Sequence, residues 1–361
     1  MAANEFADRL KKFRSRFADL KIDAAVVMNR VNTRYLSGFA GSFSILAVDG
    51  KRAVLFTDSR YAEAASREAP EGVEVRCQPR EKALEYYRDF FAPLKGKRVG
   101  HESSITVAEL DRLKKYARGA KWTPAESAIL KLRAVKSESE LKSVRKAAKL
   151  ADAMMHLAVE TARAGMPESE LSKAIRRASE DLGGTGESFE NIVASGPNSS
   201  SPHHTPGKRK LKSGDPVTVD LGGVVEGYCS DLTRTFAIGK ASKKFTEIYG
   251  VCLEANEAAI AGIRPGMTGK EADALARNAI EKAGFGEYFG HSLGHGVGIE
   301  IHEQPRLATT SADILEPGMV ITIEPGIYIP GVGGVRIEDL AVVTAKGVAV
   351  LSKTPKNLLV V

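Results

Sequence analysis

Cysteine, tryptophan, long apolar runs and concentrated charge are all scarce in this chain. Its 361 residues hold 3 cysteines, Cys77, Cys229 and Cys252. They are odd in number and far apart, which excludes a disulfide framework and makes a reducing, cytoplasmic compartment the expectation. Aromatic residues are 6% of the chain, with a single tryptophan, inside an otherwise ordinary globular balance of 43% apolar and 27% charged residues. No run approaches the roughly 18 apolar residues of a membrane span, so no membrane partner is expected. The first seventeen residues are charged and carry Phe6, Leu10, Phe13 and Phe17 at helical spacing, which reads as a helix rather than a signal peptide. The net charge of +7 is spread along the chain. Its densest cluster, Lys208-Arg209-Lys210-Leu211-Lys212, sits in a Gly-bounded turn and reads as a solvated loop, so no nucleic-acid partner is expected.

What the chain does contain is punctuated strands and helices in a length that favours two domains. In the first part, Asp23 to Met28 reads as a buried strand, and Phe43 to Val48 with Arg52 to Phe56 as a hairpin about Asp49-Gly50. A helix through Tyr61, Ala64 and Ala65, a strand at Val73 to Val75, a helix from Ala83 to Phe91 and a strand at Arg98 to Gly100 follow. Such alternation implies an open α/β sheet. The expected division is residues 1–131 and 132–361, with Trp122 to Lys131 as the link. The second part opens on a capping box, Ser137 with Glu140, followed by the apolar stripe Leu141, Val144, Ala148 and Ala151. Further helices are expected at Glu168 to Leu182, Phe245 to Ile263 and Gly269 to Ala283, the last capped by Thr268. Strands are expected at Val217 to Val225, Tyr228 to Ala237, Val320 to Glu324 and Val335 to Val343. This mixture is α+β, and the order helix, helix, strand pair occurs twice.

Five residues in that second part stand out as metal-ligand candidates: Asp220, Asp231, His295, Glu324 and Glu338. Each lies in a short apolar segment with glycine near it: Val219-Asp220-Leu221-Gly222, Ser230-Asp231-Leu232, Gly294-His295-Gly296, Ile323-Glu324-Pro325-Gly326 and Arg336-Ile337-Glu338-Asp339. A lone buried aspartate is usually salt-bridged or a cap. Four carboxylates in such settings are costly to bury without a positive partner, and with one imidazole they suit a pair of divalent cations. Oxygen-rich ligation favours Mn, while the imidazole admits Co, Fe or Zn. A two-residue turn at Glu226-Gly227 pairs Val225 with Tyr228, so Asp231 falls opposite Gly222 and Asp220 becomes its diagonal neighbour on the same face. Glycine at 222 is then expected to leave room for an ion. The register between Glu324 and Glu338 stays open, because the connection through Pro330-Gly331-Val332-Gly333-Gly334 is long. Arg336 and Thr235 are candidates for orienting the ligands. Of the 7 histidines, His203, His291 and His302 flank these segments and are candidates for oxyanion binding or proton transfer, with His302 after an alternating strand Ile299-Glu300-Ile301. His101 and His156 are set aside as ordinary surface or core residues.

The five motifs, in this order and spacing, resemble the metallopeptidase family with the "pita-bread" fold, which includes methionyl aminopeptidases, Xaa-Pro aminopeptidases, Xaa-Pro dipeptidases and creatinase. The resemblance covers about the last two-thirds of the chain. Asn32-Thr33-Arg34-Tyr35-Leu36-Ser37-Gly38 and Thr57-Asp58-Ser59-Arg60-Tyr61 further resemble a creatinase-type N-terminal domain, which points to the proline-specific branch. The fold implied is an α/β N-terminal domain followed by an α+β pita-bread catalytic domain. The resemblance implies that Asp220 binds one metal, Asp231 and Glu338 bridge two, and His295 and Glu324 bind the other. Glu324 is then the group that accepts a proton from a bridging water. His203 and His302 contact the scissile carbonyl and His291 lines a proline pocket; Arg336, apart from the resemblance, is a candidate for binding substrate. His204 competes with His203 for the first role, since a one-residue loop shift exchanges them. A homodimer is implied as well.

The activity implied is an exopeptidase that hydrolyses Xaa-Pro bonds through a hydroxide bridging two cations, since paired cations bring a water's proton loss near neutral pH. The substrate is a small peptide with proline second; whether it is a dipeptide or a longer peptide stays open. One alternative is a broader or methionine-preferring aminopeptidase. Others are a creatinase-like amidinohydrolase, which the intact ligand set argues against, and a non-catalytic binding member, which measured metal content would test.

Overall fold

The computed structural model describes residues 3–78 and 83–361. The chain divides into two compact units, Met1–Arg133 and Ala134–Val361.

In the first unit the helices are α1 (Ala3–Ser15), α2 (Phe17–Leu20), α3 (Arg30–Ser37), α4 (Ala62–Glu68), α5 (Ala83–Phe91), α6 (Val107–Tyr116) and α7 (Glu126–Ala134). The strands are β1 (Ala24–Val27), β2 (Ile45–Asp49), β3 (Ala53–Asp58), β4 (Glu74–Gln78), β5 (Arg98–His101) and β6 (Lys121–Pro124). They form one sheet in the order β4-β3-β2-β1-β5-β6, antiparallel through the β1-β2-β3 hairpins and parallel outside them. Ile45, Ala47, Val54 and Phe56 alternate onto one face and bury against Phe90, Phe91 and Leu113. The expected link at Trp122 to Lys131 is instead strand β6 running into helix α7, because Trp122 pairs with Val99 and stays in the sheet. Helix α3, absent from the sequence expectation, covers the Asn32 to Ser37 motif; Asn29 caps it by accepting from Val31 N and Asn32 N. Met1 and Ala2, at the start of the expected first helix, lie outside the described residues.

The second unit begins with α8 (Glu138–Thr161) and α9 (Glu168–Asp181), followed by β7 (Ile192–Ser195), β8 (Pro216–Leu221), β9 (Val224–Val225), β10 (Tyr228–Cys229) and β11 (Leu232–Ala237). Then come α10 (Lys243–Gly262), α11 (Gly269–Lys282), β12 (Gly294–Gly296), β13 (Glu303–Leu307), β14 (Val320–Ile323), β15 (Gly326–Ile329), β16 (Gly333–Arg336), β17 (Asp339–Val343) and β18 (Val348–Val350). The helix-helix-strand order thus occurs twice. One half packs α8 and α9 on the sheet β11-β8-β7, with Met154, Leu171, Ile175, Val219 and Phe236 in its core. The other packs α10 and α11 against the sheet β13-β12-β14-β17-β18, with Ile248, Ala276, Ile280, Ile321 and Ala341 in its core. A third cluster, with Leu141, Val144, Tyr228, Val320 and Leu340, joins the two halves. Each such fully buried large apolar side chain contributes about 1.5–3 kcal/mol, and that burial offsets the cost of carboxylates placed among them.

Helix starts follow the sequence closely. Ser137 with Glu140 and Thr268 with Glu271 are complete capping boxes. Strands do not: Val217 to Val225, Tyr228 to Ala237 and Val335 to Val343 are each broken in two. Ile299 to Ile301, expected as an alternating strand, is an irregular bend between β12 and β13. The Glu300 carbonyl accepts from Gly298 N and the Glu300 N–H donates to Glu303 Oε1, local bonds in place of a ladder.

Candidate metal centre

The breaks in the strands lie where the candidate ligands lie. In the first hairpin, Val225 pairs with Tyr228 and Leu221 with Leu232, so the expected register runs through the whole hairpin. Asp220 is the fifth residue of β8, opposite Thr233, and Asp231 occupies the gap between β10 and β11. In the second half, Ile323 pairs with Asp339 and Gly326 with Arg336. The residues between them, Glu324 and Glu338, therefore face one another at the break between two ladders. The register that the sequence left open is set by the extra hairpin β15-β16. His295 sits in β12, beside β14.

Glycines let these backbones approach. A Cβ added at Gly294 would lie 2.1 Å from the Thr322 carbonyl oxygen, so no side chain fits between β12 and β14 there. Gly222 was expected to make room for an ion. Instead a Cβ at that position would lie 2.0 Å from the Ser230 carbonyl oxygen, so the glycine serves the strand crossing.

Asp220, Asp231 and Glu338, all buried, each offer a carboxylate oxygen within 4.8 Å of the others. His295 Nε2 stands 3.5 Å from Asp231 Oδ2 and 3.4 Å from Glu324 Oε1. His295 Nδ1 lies 3.0 Å from the Gly296 carbonyl, which can only accept, so Nδ1 carries the proton and Nε2 presents its lone pair to the carboxylates. Burial lowers the His295 pKa, in keeping with a neutral ring. Burial, then repulsion from neighbouring carboxylates, raises the Asp231 and Glu338 pKa values well above the usual range. Burial also raises Glu324 to about 7, against the pull of Arg336. Among the described residues, Arg336 is the guanidinium that pairs with this cluster of four carboxylates, so the cluster carries excess negative charge that a cation or protons must balance.

Each carboxylate but one has a dedicated donor among the described residues. Arg336 Nη2 donates to Asp220 Oδ2 at 2.6 Å, Thr233 Oγ1 to Glu338 Oε2 at 2.6 Å, and Thr322 Oγ1 to Glu324 Oε1 at 2.9 Å. Asp220 Oδ1 is buried with no hydrogen-bond partner. An orphaned buried carboxylate oxygen, beside two more carboxylates and an imidazole lone pair, fits a divalent cation. The sequence pointed to Arg336 and missed Thr233 and Thr322. Both lie two residues from a ligand candidate, hence on its side of a strand, and that spacing was the available signal. Thr235 touches the Arg336 backbone rather than a ligand.

Arg336, expected on the substrate side, is buried behind Asp220; its Nε donates to Thr233 Oγ1 and its Nη1 to the Tyr328 hydroxyl. His291 Nδ1 lies 2.8 Å from the Ser292 carbonyl and must donate to it, and burial lowers the ring to about 4. Its Nε2, 3.0 Å from the Tyr328 hydroxyl, therefore accepts. The chain Arg336 to Tyr328 to His291 leaves the His291 ring faces, not its nitrogens, for other contacts. His302 stacks edge-on to His295 with ring centroids 4.4 Å apart, and burial lowers its pKa. His203 is exposed and close enough to bear electrostatically on His291, His302 and Glu324. His204 is committed elsewhere: its Nε2 lies 2.9 Å from Glu168 Oε2.

A buried cluster of acids and one imidazole, held on paired strand breaks between two helix-and-sheet halves, is the architecture of a metal-dependent hydrolase. The chain belongs to metallopeptidase family M24: the family model "Metallopeptidase family M24" matches residues 142–345, and "Creatinase/Prolidase N-terminal domain" matches residues 9–135. It has the pita-bread fold with a creatinase-type first domain. Among solved structures it is similar to the Xaa-Pro dipeptidase from Bacillus anthracis, at 41% identity and TM-score 0.94, covering 99% of this chain and 100% of that one. It is similar to the X-Pro aminopeptidase from Thermotoga maritima at 34% identity and TM-score 0.88, covering 96% and 100%. Among curated relatives, the Xaa-Pro dipeptidase of Pyrococcus horikoshii is 37% identical over 98% of this chain and 99% of its own length.

Proposed function

We propose that the protein is a metal-dependent exopeptidase that hydrolyses the bond before proline in a small peptide, with the residues above in the roles described here. The observation that carries the reading is the partnerless Asp220 Oδ1 in a buried cluster with Asp231 and Glu338, in a chain with full-length relatives named Xaa-Pro dipeptidase. Asp220, Asp231, His295, Glu324 and Glu338 hold two divalent cations, Mn by preference for an oxygen-rich set. Cations held there would polarise the scissile carbonyl and acidify a water. Glu324, oriented by the Thr322 hydroxyl, takes up a proton at its carboxylate. His203 and His302 donate to the oxygen of the scissile carbonyl as negative charge develops on it. His291, pinned through both nitrogens, presents a rigid ring face to the proline. Arg336 holds Asp220 in place and bears on the substrate side through Tyr328 and through the Pro202 carbonyl beside His203. The active protein is cytoplasmic and a homodimer in this reading.

Exhaustive chelation should abolish hydrolysis of an Xaa-Pro dipeptide, and added Mn or Co should restore it. Full activity after verified metal removal would sink the proposal. Running an Xaa-Pro-Xaa tripeptide in parallel separates dipeptidase from aminopeptidase. Both kinds of relative match the chain over nearly its whole length, so the assay decides between them.

A further inference from the structure

The strand break that brings Glu324 and Glu338 together leaves two backbone carbonyls in need of donors. The β14-β17 ladder ends at Ile323 and Asp339, the β15-β16 ladder begins at Gly326 and Arg336, and Pro325 in the gap has no N–H. The carbonyls of Ile323 and Ile337, each one residue before a glutamate, are met by a single side chain. Asn256, fully buried on α10, points its Nδ2 at both, 3.0 Å from Ile323 O and 3.3 Å from Ile337 O. Carbonyls only accept, so the amide orientation is determined: the NH2 faces the strands and Oδ1 faces away. Oδ1 accepts from Lys356 Nζ at 2.9 Å. That ammonium also stands 3.2 Å from Asp339 Oδ2, an ion pair whose angle falls short of a hydrogen bond. Arg234 completes the support, pairing with Asp339 Oδ1 at 2.8 Å and donating to the Glu338 carbonyl and to Thr354 O and Pro355 O.

We propose that Asn256 is a positioning residue for the metal site, clamping the two backbones that carry Glu324 and Glu338 at the separation the cations require, with Lys356 orienting its amide. The inference rests on the reading of those glutamates as ligands. Asn256 touches neither the carboxylates nor substrate. It acts through the peptide units on which they hang. Because its two N–H groups are shared between the strands, losing them frees the glutamates to spread without unfolding either ladder.

The test uses the full-length chain, stripped of metal and titrated calorimetrically with Mn(II), with elemental analysis for stoichiometry and thermal unfolding of the stripped protein alongside. Asn256→Leu keeps the bulk and removes both donors. Its Mn affinity should fall about 10- to 100-fold, the usual effect of losing a group that orients a ligand. With Mn resupplied to saturation, KM for an Xaa-Pro dipeptide should hold while kcat falls. Lys356→Met, at a partly exposed position, should weaken Mn binding in the same direction by less, and it decides the matter if Asn256→Leu does not fold. Wild-type Mn affinity in a folded Asn256→Leu protein, or in Lys356→Met where that variant must decide, would overturn the inference and leave Asn256 a core residue. Failure of the wild-type chain to bind Mn, Co or Zn would instead overturn the reading of the site itself.

Discussion

Buried carboxylates occur in both units, and those of the acidic cluster are treated in the opposite way from Glu102 and Glu168. Glu102 in the first unit accepts from Met28 N, Asn29 N and the Asn32 side chain, whose own oxygen accepts from Arg133. Glu168 in the second unit accepts from Ser195 through both its amide and hydroxyl, from Asn198, from Gly207 N and from His204. In the acidic cluster, Asp231 has the lone-pair side of His295 Nε2 at 3.5 Å instead of a donor, and Asp220 keeps an orphan oxygen. A buried acid kept for structure is given its donors by the protein. One kept for a cation is left short of them, because the cation is the missing partner.

Asp231→Ala should break this contrast most severely. Removing a carboxylate proposed to bridge two cations should lower metal content and Xaa-Pro hydrolysis together, by more than the roughly 10- to 100-fold cost of losing an orienting partner. Two tightly bound ions in that variant, seen by elemental analysis, would remove Asp231 from the site. His203→Ala should separate binding from turnover. Metal should stay, while kcat drops about 100- to 1000-fold, or ~3–4 kcal/mol. His204→Ala should keep turnover closer to wild type, since its ring is engaged with Glu168. The reverse ranking in steady-state kinetics would exchange the two.

The structural acids should show up in stability rather than chemistry. Glu168→Gln turns an amide N–H toward groups that are themselves donors and should cost about 1–3 kcal/mol in denaturant unfolding, with metal still bound. The two acids also differ in sign with pH. Burial works to raise Glu168, but its hydrogen bonds from Ser195, His204 and Asn198 prevail and lower its pKa. Its contribution is therefore present above the unfolded glutamate value and lost as pH falls through the lower folded value. Burial prevails at Glu102, whose pKa is raised despite its donors. Ionising it opposes folding, so its effect is most favourable below the unfolded value and declines as pH rises through that value toward the folded one. Glu168→Gln should flatten the acid limb of the stability profile, and Glu102→Gln should raise stability at neutral pH relative to acid. Equal changes in both profiles would refute the distinction. The smallest effect is expected at a helix start: Ser137→Ala removes the cap that accepts from Glu140 N and should cost about 1 kcal/mol in thermal or denaturant unfolding, without change in metal content.

Helices were legible from sequence wherever a cap preceded an apolar stripe, as at Ser137 and Thr268, because both signals are local. Helix α6 carries the same signal in Thr106 and Glu109, a complete capping box. The register of the first hairpin was legible for a similar reason: a two-residue turn determines every pairing that follows it. The ligand candidates could be picked out because carboxylates among Val, Ile and Leu are expensive and therefore informative.

Sequence by itself determined part of the inventory: the candidate acids of the cluster, the helices that begin at Ser137 and Thr268, and the pairing of Val217 to Ala237. It did so through spacing and cost, which need no knowledge of distant partners. Only the tertiary structure decided where the strands break, which donor each acid receives, and that His204 is spent on Glu168 while His203 is left exposed. Those outcomes depend on groups up to a hundred or so residues apart, such as Thr233 with Glu338, Arg336 with Asp220 and Asn256 with Ile323 and Ile337. A hydrogen bond between distant segments leaves no periodicity in the chain, so its partner is settled only when packing brings the segments together.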